Sequence, residues 1–235
     1  MCKKNITTPF KFFCYTDNPT DIIKDVTVVP YVDHKLDVIV HNKLFLFSKE
    51  FDDYLDKGPR MFFDLDLIIK HNIDHIVAMN RGELTVIRAS WRKDHPEGKY
   101  CPECYGNIAG YSHHHMFNSS CMTWESPHTR CIWERFIADP EYYTLAFPLG
   151  MDSFMRYEHK NAGTNIHFFP ERLFWSHNDG VDHYEREATW FKNPNASFYQ
   201  YEKEYGREVG KMPIVLLNGE NTMENYQQYK KYYED

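Results

Sequence analysis

Arg60-Met61-Phe62-Phe63-Asp64-Leu65-Asp66-Leu67-Ile68-Ile69 is an apolar run of strand length interrupted by two carboxylates. Its composition predicts a buried strand over Arg60 to Leu67. In a strand, residues i and i+2 share a face, which sets Asp64 and Asp66 side by side. Two ionised groups held in apolar surroundings repel one another, and each is costly to bury without compensation. A divalent cation would compensate both, and hard carboxylate oxygens select Mg²⁺ or Mn²⁺, ions that commonly also hold a substrate diphosphate. The carboxyl end of such a strand is where an open α/β sheet gathers its ligands. The competing assignment makes one Asp a cap beyond the strand and the other its solvated neighbour.

Outward from this stretch, strands and helices alternate. Lys11 to Tyr15 and Val26 to Tyr31 are short strand patterns separated by the turn cluster Thr16-Asp17-Asn18-Pro19-Thr20-Asp21. Val38 to Phe47 has helix-compatible apolar spacing, and Gly58-Pro59 marks the turn before the acidic stretch. Leu84 to Ala89 and Ser119 to Trp124 are further strands. Pro127 to Ala138 is a helix with Ile132, Trp133, Phe136 and Ile137 on its apolar face, and Asp152 to His159 is another. Strands at Asn165 to Phe169 and Pro213 to Leu217 follow, with a polar helix from Asn221. Residues 91–117 form a long loop without periodicity, and residues 174–191 an irregular aromatic-rich stretch. The alternation predicts an α/β sheet, and no repeat or Pro-rich linker divides residues 1–235 into more than one domain.

Composition narrows the function. Lys and Arg total 27 against 34 Asp and Glu, a net charge of −7, which argues against a protein that chiefly neutralises phosphate backbones. No apolar run approaches the roughly 20 residues of a membrane span. The N-terminal Met1-Cys2-Lys3-Lys4-Asn5 has no apolar segment behind it, and the six cysteines are sparse, so a reducing cytoplasm is the expected compartment. Cys101-Pro102-Glu103-Cys104, followed by His113-His114-His115, leaves two readings open: an ordinary loop, or a structural Zn²⁺ held by Cys101, Cys104 and one or two of His95, His113 and His115. Trp175, Trp190, Tyr184, His177 and His183 are either an aromatic platform for a sugar ring or buried packing. The Tyr- and Lys-bearing tail from Asn225 to Tyr233 carries too little positive charge to make nucleic acid a partner.

The metal-strand pattern, with Asn72-Ile73-Asp74-His75-Ile76 after it, resembles that of GT-A fold nucleotide-sugar glycosyltransferases, nearest the glycogenin-like group and bacteriophage relatives. Further segments carry the resemblance in order: Tyr15-Thr16-Asp17-Asn18-Pro19, Asn42-Lys43-Leu44-Phe45-Leu46-Phe47, Phe117-Asn118-Ser119-Ser120-Cys121-Met122, Trp133-Glu134-Arg135-Phe136 and Gly150-Met151-Asp152-Ser153-Phe154. It extends from about Phe10 to Glu220. The resemblance implies a GT-A-like, Rossmann-like mixed sheet flanked by helices, and a transferase moving a sugar from a UDP- or GDP-sugar to a hydroxyl acceptor. In such a protein Asp64 and Asp66 would hold Mn²⁺ or Mg²⁺ on the donor diphosphate, Lys43 would approach the donor, Asn118 and Ser119 would line the donor-sugar pocket, and Asp152 would face the transferring sugar or act as the acceptor's base. For Lys43 the competing assignment is a surface lysine, for Asn118 and Ser119 a turn that satisfies its own backbone, and for Asp152 a helix N-cap.

Two departures from the family pattern shape the expectation. The strand and helix that usually precede the segment corresponding to Asn5 to Tyr15 would be missing, and Asn218, in Ile214-Val215-Leu216-Leu217-Asn218-Gly219-Glu220, stands where a third metal ligand, commonly His, is expected. An amide oxygen can still ligate a hard cation. The first departure keeps a second function in view, a catalytically silent GT-A-like protein that binds a glycan or a partner. A phage origin would place the protein in the host cytoplasm.

Overall fold

The computed structural model describes residues 1–36, 38–89, 117–148, 150–170, 173–176, 212–217, 227 and 229–230. Among these the protein is a mixed α/β fold with three sheets. Strands β1 (Phe12–Thr16) and β2 (Val26–Pro30) pair in parallel. The main sheet has the order β3-β6-β5-β7, where β3 is Arg60–Phe63, β5 Leu84–Arg88, β6 Phe117–Trp124 and β7 Ile166–Phe168. Strand β6 runs antiparallel to both of its neighbours, and β7 runs parallel to β5. A three-stranded sheet, β4-β9-β8, joins Leu67–Ile69, Ile214–Leu216 and Phe174–Ser176.

Side-chain alternation explains how the layers stack. Phe62, Met122, Trp124, Leu84 and Val86 face a core shared with the helices, while Met61, Phe63, Cys121 and Ile87 face a second core with Leu67, Ile69, Ile214 and Leu216. Ile68 and Val215 point the other way, into a third cluster with Trp175 and Leu217. The three-stranded sheet is therefore covered on both faces, which is why Leu67-Ile68-Ile69 is apolar without alternation.

The helical layer is α2 (Lys49–Asp52), α4 (Arg130–Ala138), α5 (Pro140–Ala146), α6 (Met151–Asn161) and a 3₁₀ segment, Ile39–Phe47, with α1 (Cys2–Asn5) and α3 (Asp74–Val77) elsewhere. The helix expected over Val38 to Phe47 is thus the tighter 3₁₀ form. Its start, Val38-Ile39-Val40, is β-branched and has no side-chain cap, a poor α-helix nucleus. On α4, Ile132, Trp133 and Phe136 are buried as expected, but Ile137 is 39% exposed and lies off the apolar face. Helix α5 escaped the periodicity argument, although Asp139 caps it by accepting from the Tyr142 amide and Pro140 opens it. The long loop was expected to run to residue 117, yet Phe117 already belongs to β6, and residues 174–176 of the expected irregular stretch are a strand. The remainder of both stretches, and nearly all of the expected C-terminal helix, lie outside the described residues.

Charged groups tie the helices to the sheet. Asp52, on α2, accepts from Arg60 on β3, from Ser126, and from Arg130 at 2.6 and 2.9 Å. Burial works to raise its carboxyl pKa, but these donors outweigh burial and hold it below the ordinary value. The fully buried Glu158 of α6 pairs with Arg135 of α4 at 2.7 Å and accepts from Thr164 at 2.7 Å. Asp74 accepts the backbone amides of Thr7 at 2.8 Å and Thr8 at 3.2 Å, clamping the N-terminal segment onto α3.

His41 is buried beside Phe136, ring centroids 5.0 Å apart, and burial pushes its pKa down to about 4. Between that value and 6.5 the unfolded chain takes up a proton that the folded chain refuses, so this stability is complete above pH 6.5 and is lost as pH falls. His41→Phe is expected to be about 2 kcal/mol less sensitive than the parent to a change from pH 7.5 to pH 5, measured by urea unfolding. Equal sensitivity of the two proteins would contradict a neutral buried imidazole.

Candidate functional site

The two carboxylates do not share a strand. Strand β3 ends at Phe63, Asp64-Leu65-Asp66 turns, and β4 begins at Leu67 in a different sheet. The expected single strand over Arg60 to Leu67 is corrected accordingly. Its apolar flanks belong to two strands in two sheets, and the acidic residues make the passage between them. Asp and Leu in this turn sort by polarity in an unusual way: Leu65, at the tip, is 93% exposed, while Asp64 and Asp66 are partly buried on either side of it. The pair therefore lies just beyond the carboxyl end of β3, a position at which both backbone and side chains can face a ligand.

Backbone hydrogen bonds pin both ends of the turn. The Asp64 amide donates to the Ser120 carbonyl at 2.9 Å, continuing the β3·β6 ladder by one residue. The Asp66 carbonyl accepts from the Leu217 amide at 2.7 Å, continuing the β4·β9 ladder. Lys43, from the 3₁₀ segment, reaches both oxygens of Asp64, at 2.6 and 2.8 Å, and sits 5.3 Å from the Phe62 ring centroid. Both partners are mostly shielded, with side-chain exposures of 25% and 20%. Among the described residues no cation pairs with Asp66 in this way: burial, then the neighbouring Asp64 charge, raise its carboxyl above the ordinary range, and its own amide and Lys43 offset only part of this. The Cys121 thiol, buried and near Asp64, is pushed well up by burial and then by that charge.

Strand β6 supplies the floor of the site. Its pairing with β5 passes from Met122 opposite Val86 directly to Asn118 opposite Ile87, so Ser119, Ser120 and Cys121 bulge out of that ladder while the β3 side stays paired. The bulge frees backbone groups, and side chains take them up. Asn118 Oδ1 accepts the Ser120 amide at 3.1 Å, and Asp152 Oδ1 accepts the Ser119 amide at 2.9 Å. For Asn118 this is the self-satisfying turn of the competing assignment. Asp152 does not cap α6; Gly150 is the N-cap and Asp152 stands in the first turn, bonded across to β6. Gly150 has φ +105°, and a Cβ there would collide with Val40 Cγ2, so glycine sets how closely α6 approaches the segment bearing Lys43.

Of the expected site residues, Lys43, Asp64 and Asp66 come together, and Asn118, Ser119 and Asp152 join them through the bulge. Asn218 and the whole Cys101, Cys104 and histidine set lie outside the described residues. Sequence reasoning missed Ser120, whose contribution is a carbonyl that no residue type announces. Among the described residues no group of three or more His, Cys, Asp or Glu side chains could hold a metal. The acidic pair nonetheless suits a Mg²⁺ or Mn²⁺ that draws most of its ligands from elsewhere, since both groups are hard oxygen donors and Lys43 offsets only part of what raises the Asp66 carboxyl.

No protein-family profile and no curated protein matches the chain. Among solved structures it is similar to the glycosyltransferase GlyE of Streptococcus pneumoniae TIGR4, at 12% identity and a TM-score of 0.48, over 84% of this chain and 42% of that one. It is also similar to the apo form of the bifunctional glycosyltransferase WbbM, at 12% identity and a TM-score of 0.41, over 84% of this chain and 36% of that one. The chain thus spans less than half the length of either protein. No helix among the described residues is long and apolar enough to cross a membrane.

Two measurements probe the site's construction. A double-mutant cycle of Lys43→Met with Asp64→Asn is expected to give a coupling of about 1 kcal/mol in urea unfolding, and additive effects would deny the ion pair. Gly150→Ala is expected to destabilise by about 1–3 kcal/mol from backbone strain alone. Adding Val40→Ala should relieve the steric part and leave that strain; a neutral Gly150→Ala would contradict the left-handed conformation.

Proposed function

We propose that the protein is a metal-dependent glycosyltransferase that moves a sugar from a nucleoside-diphosphate donor to a hydroxyl acceptor. One observation carries the reading: Asp64 and Asp66 flank an exposed turn at the carboxyl end of β3, with the Lys43 ammonium 2.6 Å from Asp64. The ordered sequence resemblance to GT-A enzymes, the glycogenin-like group and phage relatives among them, supports the same assignment.

The reaction breaks the bond between the sugar's anomeric carbon and a phosphate oxygen, forms one from that carbon to the acceptor oxygen, and releases the acceptor's proton. Asp64 and Asp66 would hold a Mn²⁺ or Mg²⁺, which supplies charge neutralisation for the departing diphosphate. Lys43 fits the same anion, because a mostly shielded ammonium 2.6 Å from a carboxylate can exchange that oxygen for a phosphate oxygen at little further cost in desolvation. Asn118 and Ser119, buried on β6 at the bulge, would form the wall against which the donor sugar rests.

Calorimetric titration with UDP and with GDP, each with and without Mn²⁺, tests the reading. Binding of one nucleotide is expected to require Mn²⁺, and Asp64→Ala and Asp66→Ala are each expected to weaken it at least tenfold, about 1.4 kcal/mol. Absence of binding, or binding indifferent to the metal and to both substitutions, overturns it.

A further inference from the structure

We infer that Asp152 is a positioning residue: by accepting the Ser119 amide it holds the β6 bulge in the shape that fixes Asp64 in the acidic turn. The inference rests on the reading of Asp64 and Asp66 as metal ligands, and it gives Asp152 a task other than that of an acceptor base.

The geometry runs through three consecutive links. Asp152 Oδ1 takes the Ser119 amide at 2.9 Å; Ser120 is the next residue; and the Ser120 carbonyl takes the Asp64 amide at 2.9 Å. The bulge makes the first link necessary. With residues 119–121 displaced from the β5 ladder, the Ser119 amide has lost the strand partner that a regular register would give it, in a residue only 6% exposed. A buried amide needs an acceptor oxygen. Asn118 Oδ1 performs the same service for the Ser120 amide at 3.1 Å. Among the described residues two side chains therefore hold the bulge, one of them from outside β6.

The placement of Asp152 is itself controlled. It lies two residues beyond Gly150, whose φ of +105° and missing Cβ let α6 approach Val40 of the 3₁₀ segment that carries Lys43. Helix α6 also packs on β6. Asp152 thus ties α6, which packs on the segment that carries Lys43, to the strand whose Ser120 carbonyl holds Asp64, so the ammonium and the carboxylate are set by one framework. In this role what matters is the acceptor oxygen and not the charge. An amide oxygen at the same place can take the Ser119 amide equally well, whereas it cannot act as a base.

Asp152→Asn and Asp152→Ala separate the roles. The first readout is amide hydrogen exchange at Ser119 and Asp64 in the metal-free protein; the second is Mn²⁺ affinity by calorimetry with the metal alone. Positioning predicts that Asp152→Ala speeds exchange at both amides at least tenfold and weakens Mn²⁺ at least fivefold, while Asp152→Asn stays within twofold of the parent in both. Exchange in Asp152→Ala unchanged from the parent overturns the inference, as does Asp152→Asn behaving like Asp152→Ala. Should Asp152→Ala fail to fold, Asp152→Asn decides: parent-like exchange supports positioning, and faster exchange overturns it. If the parent binds no Mn²⁺ while the exchange pattern is as expected, the metal reading fails and the hold on the bulge stands. A base alone would leave both readouts unchanged in both variants and abolish turnover.

Discussion

The chain's passage from one sheet to another at Asp64-Leu65-Asp66 is the constraint on which the site depends. A turn that stayed within a single sheet would form a hairpin, with its side chains fixed by one register. Here the two ends are clamped independently, Asp64 by the Ser120 carbonyl of the main sheet and Asp66 by the Leu217 amide of the three-stranded sheet. The carboxylates are therefore located by the relative placement of two sheets. That placement is set by the apolar core between them, where Met61, Phe63 and Cys121 meet Leu67, Ile69 and Leu216.

Electrostatics and packing pull in opposite directions at this point. The core favours closing the sheets, and closure partly buries two like charges. Lys43 relieves one of them; the other is left with a carboxyl whose affinity for a proton is raised. An arrangement that leaves such a charge only partly compensated is less stable than it could be, and natural proteins keep such defects where chemistry uses them. Elsewhere in the helical layer the buried carboxylates are paired, Asp52 with Arg60 and Arg130, and Glu158 with Arg135.

Much of the fold was legible because it is written in local pattern. The periodicity of Leu84 to Ala89, the apolar face of Ile132, Trp133 and Phe136, and the strand at Ile214 to Leu216 follow from residue type and spacing alone. The acidic stretch misled for a physical reason: Met61-Phe62-Phe63 and Leu67-Ile68-Ile69 are both buried strands, and nothing within ten residues says that they belong to different sheets. The Asp residues, good turn formers, were the available sign. The 3₁₀ form of Ile39–Phe47 was foreshadowed by its β-branched, uncapped start. Lys43 and Asp64 could be named in advance as side chains with chemistry, but the Ser120 carbonyl and the Ser119 amide could not, because backbone groups are the same at every residue. Their importance comes from a bulge that only the pairing of distant strands creates.

The clamp on Asp66 has a temporal side. Its partner strand is distant in the chain, Leu67 facing Leu216, a separation of 216 − 67 = 149 residues. Closing so long a loop is a late event in folding, since its entropy must be lost before any pairing rewards it. On the ribosome, Asp64 can be seated as soon as β6 emerges, whereas Asp66 must wait until Leu217 has been synthesised. A nascent chain would thus carry half an acidic pair until the segment around Leu217 has been made.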